Sequence, residues 1–303
     1  RPLRLGTRGS PLALAQAWMT AHALCERHGW APDAIETVII QTSGDRIQDR
    51  ALADIGGKAL WTKELDRALM EGEIDCAVHS MKDVETLRPD TIAIAAMLPR
   101  ADVRDRLIGA TGFDRLPNDP VVGTSSPRRA AQVRRLRPDA RIVLFRGNVA
   151  TRLAKLEAGD VHATLLAAAG LDRLGHGDVG TTIPIDVMLP APAQGAVGIE
   201  TLADNPAMFG WLAAISDADT FDCVMAERAL LKGLGGSCHS PIAALARIEG
   251  DGIVLRAQIL GEDGQECVAD ALRIGRGDTD RAQALGGALL DRASPALRAL
   301  FHA

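Results

Sequence analysis

The chain has 303 residues, of which 47% are hydrophobic and 24% are charged, and its formal net charge at pH 7 is -5. This composition is typical of a soluble globular protein, and the acidic balance argues against a general affinity for nucleic acid. The length predicts two or three domains, and no apolar run approaches the roughly 18 residues that a transmembrane helix needs.

Short apolar strands alternate with helices through the first hundred residues. A strand is predicted over 3–7, and Ser10-Pro11 is typical of a helix N-cap followed by proline. Gly29 is predicted to end this helix. Residues 43–58 are polar and punctuated by glycine, which predicts a loop. The remaining elements are predicted as strands over 35–42, 74–79 and 91–97 and a helix over 62–71.

The same alternation restarts after the turn-rich segment 112–120. Ser126 and Asn148 are predicted to cap two further helices. Alternating strands and helices indicate a mostly parallel sheet with helices on both faces, and because the alternation occurs twice we expect two α/β domains. The strands of this second set are predicted over 121–123, 141–145 and 161–168.

The last third of the chain has a different pattern. A long helix is predicted over 221–233, and the segment GGSCHS follows it. Three strand-like runs are then joined by glycine-rich turns, and a helix over 280–292 closes the segment. This order predicts a small α+β domain with a meander. Its strands are predicted over 241–249, 253–261 and 266–274.

The five cysteines are widely spaced and form no CxxC pair. Their odd number and spacing predict reduced thiols in a cytoplasmic compartment. Cys76 and His79 lie close together on one predicted strand, but no second pair completes a metal site, so none is predicted. Most free cysteines are buried, whereas Cys238 stands on a glycine-flanked loop and is the candidate nucleophile.

Arginine is concentrated between Arg128 and Arg152, a stretch with eight arginines, no lysine and one acid. In a doubly wound sheet, ligands bind beyond the carboxyl ends of the strands, where helix N-termini favour anions. A guanidinium group takes two carboxylate or phosphate oxygens at once, so the sequence predicts a small, multiply anionic ligand. The arginines predicted at strand-to-helix junctions are Arg8, Arg128, Arg129, Arg146 and Arg152.

Four other arginines are predicted to be solvated surface charges: Arg134, Arg135, Arg137 and Arg141. Neither a Walker GxxxxGK[ST] motif nor a helix-opening GxGxxG is present, so a phosphate ligand and a carboxylate ligand both remain open. Lys82-Asp83 follows a predicted strand on the same edge. In positively charged surroundings such a carboxylate can pass protons or stabilise a cation, although a solvated ion pair is the alternative.

Six segments, in order along the chain, closely resemble the hydroxymethylbilane synthase family, also called porphobilinogen deaminases. They are AVHSMKD (77–83), GTSSPRR (123–129), FRGNVATRL (145–153), AAAGLDRLG (167–175), PAQGAVGIE (192–200) and GGSCHSPI (235–242). The resemblance implies an enzyme of porphyrin biosynthesis that joins four porphobilinogen molecules head to tail and releases ammonia at each step. It also implies a cytoplasmic monomer that needs no metal, nucleic acid or membrane.

The resemblance assigns functional residues position by position. It implies that Asp83 is the catalytic carboxylate and that a dipyrromethane cofactor is attached to Cys238 through a thioether. Residues implied to hold the cofactor are Lys82, Asp83, Thr124, Ser125, Ser126, Arg128 and Arg129. Residues implied to bind substrate are Arg8, Ser10, Gln16, Lys58, Trp61, Arg146, Asn148, Arg152, Arg173 and Gln194.

The implied fold is α/β, with two domains like those of periplasmic binding proteins and a small C-terminal α+β domain. The expected boundaries are 1–98 with 194–215 for domain 1, 99–193 for domain 2 and 216–303 for domain 3. The chain departs from the family pattern at Ala193, where glycine is usual, at Glu85, where proline is usual, and at Trp61, where phenylalanine is usual.

Two other functions are consistent with parts of the sequence. A non-catalytic anion-binding protein of the same two-domain type would use the arginines, but it would not need the thiol of Cys238. A nucleic-acid binder could use RRAAQVRRLR as a basic helix. The aromatic content of 3% and the acidic total argue against that second function.

Overall fold

The computed structural model describes residues 1–41, 62–235 and 240–301. The predicted loop over 43–58, Lys58, Trp61 and Cys238 lie outside the described residues. Within the described ranges the chain forms two compact units, the first from 1–41, 62–101 and 195–221 and the second from 102–194, 222–235 and 240–301. The division into three domains remains a prediction, because residues 102–194 and the C-terminal part are grouped in one unit.

Unit 1 is built on a five-stranded sheet with the order β2-β1-β3-β10-β4. Strands β1, β2 and β3 are parallel, and β10 is antiparallel to both of its neighbours. Its strands are β1 (Leu3–Arg8), β2 (Ile35–Ile40), β3 (Cys76–Ser80), β4 (Ile92–Met97) and β10 (Val197–Leu202). Its helices are α1 (Pro11–His28), α2 (Lys63–Met70) and α6 (Pro206–Ala213).

The core of unit 1 forms where α1 and α6 cover one face of this sheet. Buried side chains of Leu5, Val78 and Ile199 from the strands pack with Leu24 of α1 and Leu212 of α6. Helix α1 begins as predicted: Ser10 Oγ accepts a hydrogen bond from the N–H of Ala13, and Gly29 ends the helix with a left-handed φ of 66°.

The α/β part of unit 2 has a second five-stranded sheet, with the order β7-β6-β8-β5-β9. Strands β6, β7 and β8 are parallel, and β5 is antiparallel to β8 and β9. Its strands are β5 (Asp105–Ile108), β6 (Val121–Gly123), β7 (Arg141–Val143), β8 (Ala163–Ala167) and β9 (Thr181–Thr182). Its helices are α3 (Pro127–Leu136), α4 (Val149–Glu157) and α5 (Ala168–Arg173).

The C-terminal part contains the predicted meander, with β11 (Ile242–Glu249), β12 (Gly252–Leu260) and β13 (Cys267–Gly275) paired antiparallel in chain order. Helices α7 (Ala218–Leu234) and α8 (Thr279–Arg292) pack their apolar faces on this sheet, and the short helix α9 (Pro295–Ala299) adds Leu297 to the core. The α+β prediction for this segment is confirmed, and α7 starts three residues earlier than predicted.

The expectation of mostly parallel sheets is confirmed, although each five-stranded sheet also holds one strand of opposite direction, β10 in unit 1 and β5 in unit 2. Strand β10 comes from the segment in which the chain returns to unit 1, and strand periodicity did not reveal it. Strand β5 begins with Asp105 and Arg106, and all of its residues are buried. Because charged residues are rarely buried, the sequence did not predict a strand at this position.

The expectation of solvated surface arginines is wrong for Arg134 and Arg137, which are half-buried, and confirmed for Arg135, which is exposed. Arg134 Nη1 donates to Glu262 O at 2.7 Å, and Arg135 Nη1 donates to Gln265 O at 3.3 Å. Both contacts hold the turn between β12 and β13 against α3. Arg137 donates to carbonyl oxygens around 113–117 and pairs with Asp139 at 2.6 Å. Arg141 is exposed, as predicted.

Candidate active site

Asp83 lies in a rigid 3₁₀ turn, Met81–Asp83, which directly follows β3. Met81 holds this turn in place, because its side chain is buried and its backbone N–H donates to Ala196 O at 3.1 Å. Gly198 of β10 makes room for it: a Cβ there would lie 2.0 Å from Met81 Sδ. Lys82 and Asp83 remain half-buried at the carboxyl end of β3, as predicted.

Asp83 lines a pocket of unit 1 together with the N-terminal turn of α1. Leu12 and Ala13 form part of the wall, so the N-terminal end of a helix faces this space, an arrangement that favours anions. The polar residues that line the pocket are Arg8, Ser10, Gln16, Thr62, His79, Ser80 and Asp83.

Gln16 and Ser80 bind each other across the inner part of this pocket. Gln16 Nε2 donates to Ser80 Oγ at 2.8 Å, and Ser80 Oγ donates to Gln16 Oε1 at 3.1 Å. Gln16 is buried, so the pair ties α1 to the end of β3. This contact positions the turn that carries Asp83.

A buried ionic network centred on Arg88 lies next to the pocket. Arg88 Nε and Nη2 donate to the two carboxylate oxygens of Glu200, each at 2.8 Å, and Arg88 also pairs with Asp66. His79 Nε2 is buried and lies 3.1 Å from Glu200 Oε2. Burial would raise the pKa of Glu200, but the contacts with His79 and Arg88 outweigh it and lower the pKa to about 2.

Glu85, one of the departures from the family pattern, joins this network. Its Oε2 accepts a hydrogen bond from Thr62 Oγ1 at 2.6 Å and from Arg88 Nη1 at 3.2 Å. This role was not predictable from the sequence, because Asp66 and Glu200 lie 22 and 112 residues away from Arg88 along the chain. The glutamate therefore links the segment after Asp83 to the residue that precedes α2.

In unit 2 the predicted cofactor residues surround the start of α3. Ser126 Oγ accepts a hydrogen bond from Arg129 N and caps the helix, while Thr124 Oγ1 accepts one from Ser126 N at 3.1 Å. Ser125 is half-buried between them. Both helix-capping predictions of this unit are confirmed, since Asn148 Oδ1 accepts from Thr151 N at 2.9 Å.

The side chains of Arg128 and Arg129 point into unit 2 and share one carboxylate, which the sequence did not reveal. Arg128 Nη2 donates to Asp105 Oδ2 at 2.8 Å, and Arg129 Nη2 donates to Asp105 Oδ1 at 2.7 Å. Gln194 Nε2 also donates to Asp105 Oδ1, at 2.9 Å. Burial alone would raise the pKa of Asp105, but the two guanidinium groups hold it well below its usual range.

This arginine cluster keeps unused donors. The Nε atoms of Arg128 and Arg129 are buried and have no hydrogen-bond partner among the described residues. Leaving a buried donor unpaired costs about 1–3 kcal/mol. Two guanidinium groups against one carboxylate also leave one positive charge, so the cluster suits an anion.

Of the other predicted arginines of unit 2, Arg146 lies in the loop before α4, Arg152 lies in the first turn of α4 and Arg173 ends α5. Arg152 Nε donates to Gly147 O at 2.9 Å, and Lys155 Nζ donates to Arg146 O at 3.2 Å, so both contacts shape the loop at 146–148. Arg146 and Arg152 are half-buried. Burial lowers the pKa of Arg173, which ends α5, although the charge of Asp172 acts in the opposite direction.

Ala193 is the second departure from the family pattern whose position is described. It is buried and held at a left-handed φ of 60°, a conformation that favours glycine. Its N–H donates to the carboxylate of Glu227 on α7. The next residue is Gln194, whose side-chain Nε2 donates to Val103 O and to Asp105 Oδ1. The strained turn at Ala193 therefore positions the Gln194 side chain against the arginine cluster.

Among the described residues, no group of three or more histidine, cysteine or acidic side chains could hold a metal ion. No helix in the described ranges is both long and apolar enough to cross a membrane.

Two family models match the chain: "Porphobilinogen deaminase, dipyromethane cofactor binding domain" over residues 3–209 and "Porphobilinogen deaminase, C-terminal domain" over residues 221–293. The chain is 57% identical to the porphobilinogen deaminase of Sphingopyxis alaskensis, over 99% of this chain and 96% of that protein. It is 52% identical to the porphobilinogen deaminase of Paracoccus denitrificans, over 90% of this chain and 88% of that one.

Among solved structures, a periplasmic binding protein of Salmonella typhimurium with high arginine specificity matches with a TM-score of 0.40 and 13% identity, over 71% of this chain and 92% of that chain. The second substrate binding domain of a putative amino acid ABC transporter from Streptococcus pneumoniae matches with a TM-score of 0.43 and 12% identity, over the same shares. At these TM-scores the likenesses carry no argument about function.

Proposed function

The chain belongs to the porphobilinogen deaminase family, and we propose that the pocket around Asp83 carries out its chemistry. The enzyme is a transferase of porphyrin biosynthesis. It condenses four porphobilinogen molecules head to tail into the linear tetrapyrrole hydroxymethylbilane, with release of ammonia. The observation that carries the proposal is the placement of the Asp83 carboxylate, fixed by a buried turn in a pocket lined by Arg8 and the start of α1.

Release of ammonia needs a proton donor for the leaving amine and a negative charge near the pyrrole, and Asp83 can supply both. Its carboxyl group can give a proton to the leaving amine, and its carboxylate can balance the positive charge that develops on the substrate pyrrole. Because Met81 and Val84 are buried on either side of the Lys82-Asp83 pair, the group is held without a large reorganisation during the reaction.

The acetate and propionate groups of porphobilinogen need cationic and hydrogen-bonding partners. In unit 1 the proposed substrate residues are Arg8, Ser10 and Gln16, of which Gln16 acts by orienting Ser80. In unit 2 they are Arg146, Asn148, Arg152, Arg173 and Gln194. Lys58 and Trp61 keep their proposed substrate roles but lie outside the described residues.

The enzyme's cofactor is dipyrromethane, the group for which the matching family model is named. The described residues fit it, because the arginine cluster of unit 2 has a surplus positive charge and unpaired buried donors for a carboxylate. When bound, the cofactor supplies the nucleophilic pyrrole carbon to which the first substrate is joined. We assign its attachment to Cys238, and its binding to Lys82 and Asp83 in unit 1 and to Thr124, Ser125, Ser126, Arg128 and Arg129 in unit 2.

Cysteine usage supports a cytoplasmic location, since the described cysteines are free thiols. The family resemblance favours a monomer that acts without nucleic acid or membrane. Cell fractionation tests the location, and sedimentation of the purified protein tests the monomeric state.

The intact mass of the purified protein tests the cofactor assignment. We expect the wild-type mass to exceed the sequence mass by two pyrrole units, and the Cys238→Ser mass to equal the mass of its own sequence. Wild-type protein should also release ammonia from porphobilinogen. A chain that binds porphobilinogen but has no added mass and releases no ammonia would instead be a non-catalytic anion-binding protein.

A further inference from the structure

Asp105 is the anionic centre of the arginine cluster, and both of its oxygens are occupied. Oδ1 accepts hydrogen bonds from Arg129 Nη2 at 2.7 Å and from Gln194 Nε2 at 2.9 Å. Oδ2 accepts a hydrogen bond from Arg128 Nη2 at 2.8 Å. The Asp105 side chain is 0% exposed, so its carboxylate is hydrogen-bonded by protein groups and is out of contact with solvent.

The backbone of Asp105 is as firmly held as its side chain. It lies on β5 opposite Ala167 of β8, and its carbonyl oxygen accepts a hydrogen bond from Ile183 N at 2.9 Å. The carboxylate is therefore a fixed point in the sheet of unit 2. The two arginines, by contrast, reach it with long side chains from the first turn of α3.

Protein contacts leave a defined set of donors on each guanidinium group, which has five N–H groups. Among the described residues, Arg128 donates four N–H groups to Gln132, Leu189 O, Asp105 and Gln194, which leaves only Nε–H. Within the same part of the chain, Arg129 donates two N–H groups, to Leu165 O and Asp105, which leaves three, including Nε–H. Asp105 thus uses one Nη2 donor of each arginine and fixes the direction of the unused ones.

We propose that Asp105 is a positioning residue for the cofactor: it orients both guanidinium groups and reduces their combined charge to one, so that the cluster accepts a single carboxylate. This inference rests on the proposed function, in which Arg128 and Arg129 bind the carboxylates of dipyrromethane. Asp105 is not placed to touch the ligand, since its side chain is 0% exposed and both of its oxygens accept hydrogen bonds from the protein. Its loss leaves two buried like charges without the carboxylate that pairs with both of them.

The test compares Asp105→Asn and Asp105→Glu with wild type, with Asp102→Asn as the matched control. Asp102 lies three residues earlier and also pairs with an arginine, Arg104, at 2.7 Å, but that arginine is exposed. The measurements are the folded fraction by circular dichroism, the cofactor-loaded fraction by intact mass, and kcat per loaded molecule with porphobilinogen.

We expect Asp105→Asn to accumulate as folded but unloaded protein, with a loaded fraction at least fivefold below wild type. Asp105→Glu keeps the charge but displaces it by one methylene, so its loaded fraction should be intermediate. Asp102→Asn should be loaded like wild type. The loaded molecules of Asp102→Asn should keep kcat within threefold of wild type, because Asp83 and the arginine cluster are both unchanged.

Three results would overturn the inference. The first is an Asp105→Asn protein that is loaded like wild type, and the second is equal loss of loading in Asp102→Asn. The third is an Asp105→Asn protein that does not fold while Asp105→Glu is fully loaded, because Asp105 would then act on stability alone. Failure of the proposed function is distinguishable, since wild-type protein itself would then carry no added mass.

Discussion

The carboxylate of Glu227 accepts a hydrogen bond from the backbone N–H of Ala193, a residue that the chain holds at φ 60°. An L-residue in this conformation costs roughly 1–2 kcal/mol, whereas glycine adopts it freely but loses more entropy on folding. Ala193→Gly should therefore raise the free energy of unfolding by about 0.5–1 kcal/mol in a urea titration. The loading of the cofactor should not change.

Ala196→Gly is the matched control for that prediction. Ala196 is a buried alanine three residues later, without a left-handed φ, so the same substitution should destabilise the protein by about 1 kcal/mol. Equal destabilisation by both substitutions would show that Ala193 is not strained.

Gly198→Ala tests whether Met81 fixes the turn that carries Asp83. The new methyl group would overlap Met81 Sδ, and the buried methionine has little space to move. We expect the substitution to lower the free energy of unfolding by about 1–3 kcal/mol and to slow ammonia release in the folded protein. Gly210→Ala is the control, because nothing lies within 4 Å of its added Cβ. Normal ammonia release by folded Gly198→Ala would contradict this role of Met81.

Asp75 should contribute a pH-dependent part of the stability of unit 1. Burial would raise its pKa, but hydrogen bonds from Arg1 and Arg4 lower it to about 2 from a usual value near 4. A carboxyl group whose pKa is lowered by folding stabilises the folded state above the unfolded pKa, and this contribution is lost as the pH falls toward 2. Allowing for solvent screening, we expect Asp75→Asn to cost about 1 kcal/mol at pH 6.

The measurement is the free energy of unfolding of wild type and Asp75→Asn between pH 6 and pH 2. The difference should be constant above about pH 4.5 and vanish near pH 2. Asp33→Asn is a suitable control, since Asp33 is an exposed residue of the same unit. A difference between wild type and Asp75→Asn that stays constant down to pH 2 would contradict the assigned pKa.

Arg146→Leu and Arg152→Leu should impair elongation more than folding. Each removes a charge-assisted contact with a substrate carboxylate, worth about 1.5–3 kcal/mol, so kcat/KM should fall roughly tenfold to a hundredfold. Arg141→Leu removes an exposed arginine of the same stretch and should stay within twofold of wild type. If Arg141→Leu lost as much as Arg146→Leu, the assignment of the loop at 146–148 to substrate binding would be wrong.

Local signals in the sequence predicted much of this structure. Ser10, Ser126 and Asn148 cap helices as their residue types indicate, and the turn at Asp83 follows a strand as its apolar neighbours predict. The burial of Arg128 and Arg129 was not predictable, because it depends on Asp105, which lies more than twenty residues earlier.

The ionic network beside the pocket escaped prediction for the same reason. Arg88 pairs with both Asp66 and Glu200, and each of these two acids lies on a different element. Strand β10 was also not predicted, because the periodicity of its residues does not show that it pairs with β3, far earlier in the chain. The pattern of residues along the chain does not show which distant side chains or strands pair in the fold.

Single-turnover release of ammonia from porphobilinogen by Asp83 variants tests the central claim most directly. Asp83→Asn keeps the shape of the side chain but has neither a negative charge nor a proton to give, and the loss of such a preorganised group typically costs roughly a hundredfold to a thousandfold in rate. Asp83→Glu keeps the charge one methylene away and should retain partial activity. The account predicts the order wild type, Asp83→Glu, then Asp83→Asn far behind, all folded and carrying cofactor. Ammonia release by loaded Asp83→Asn within a few-fold of wild type would contradict it.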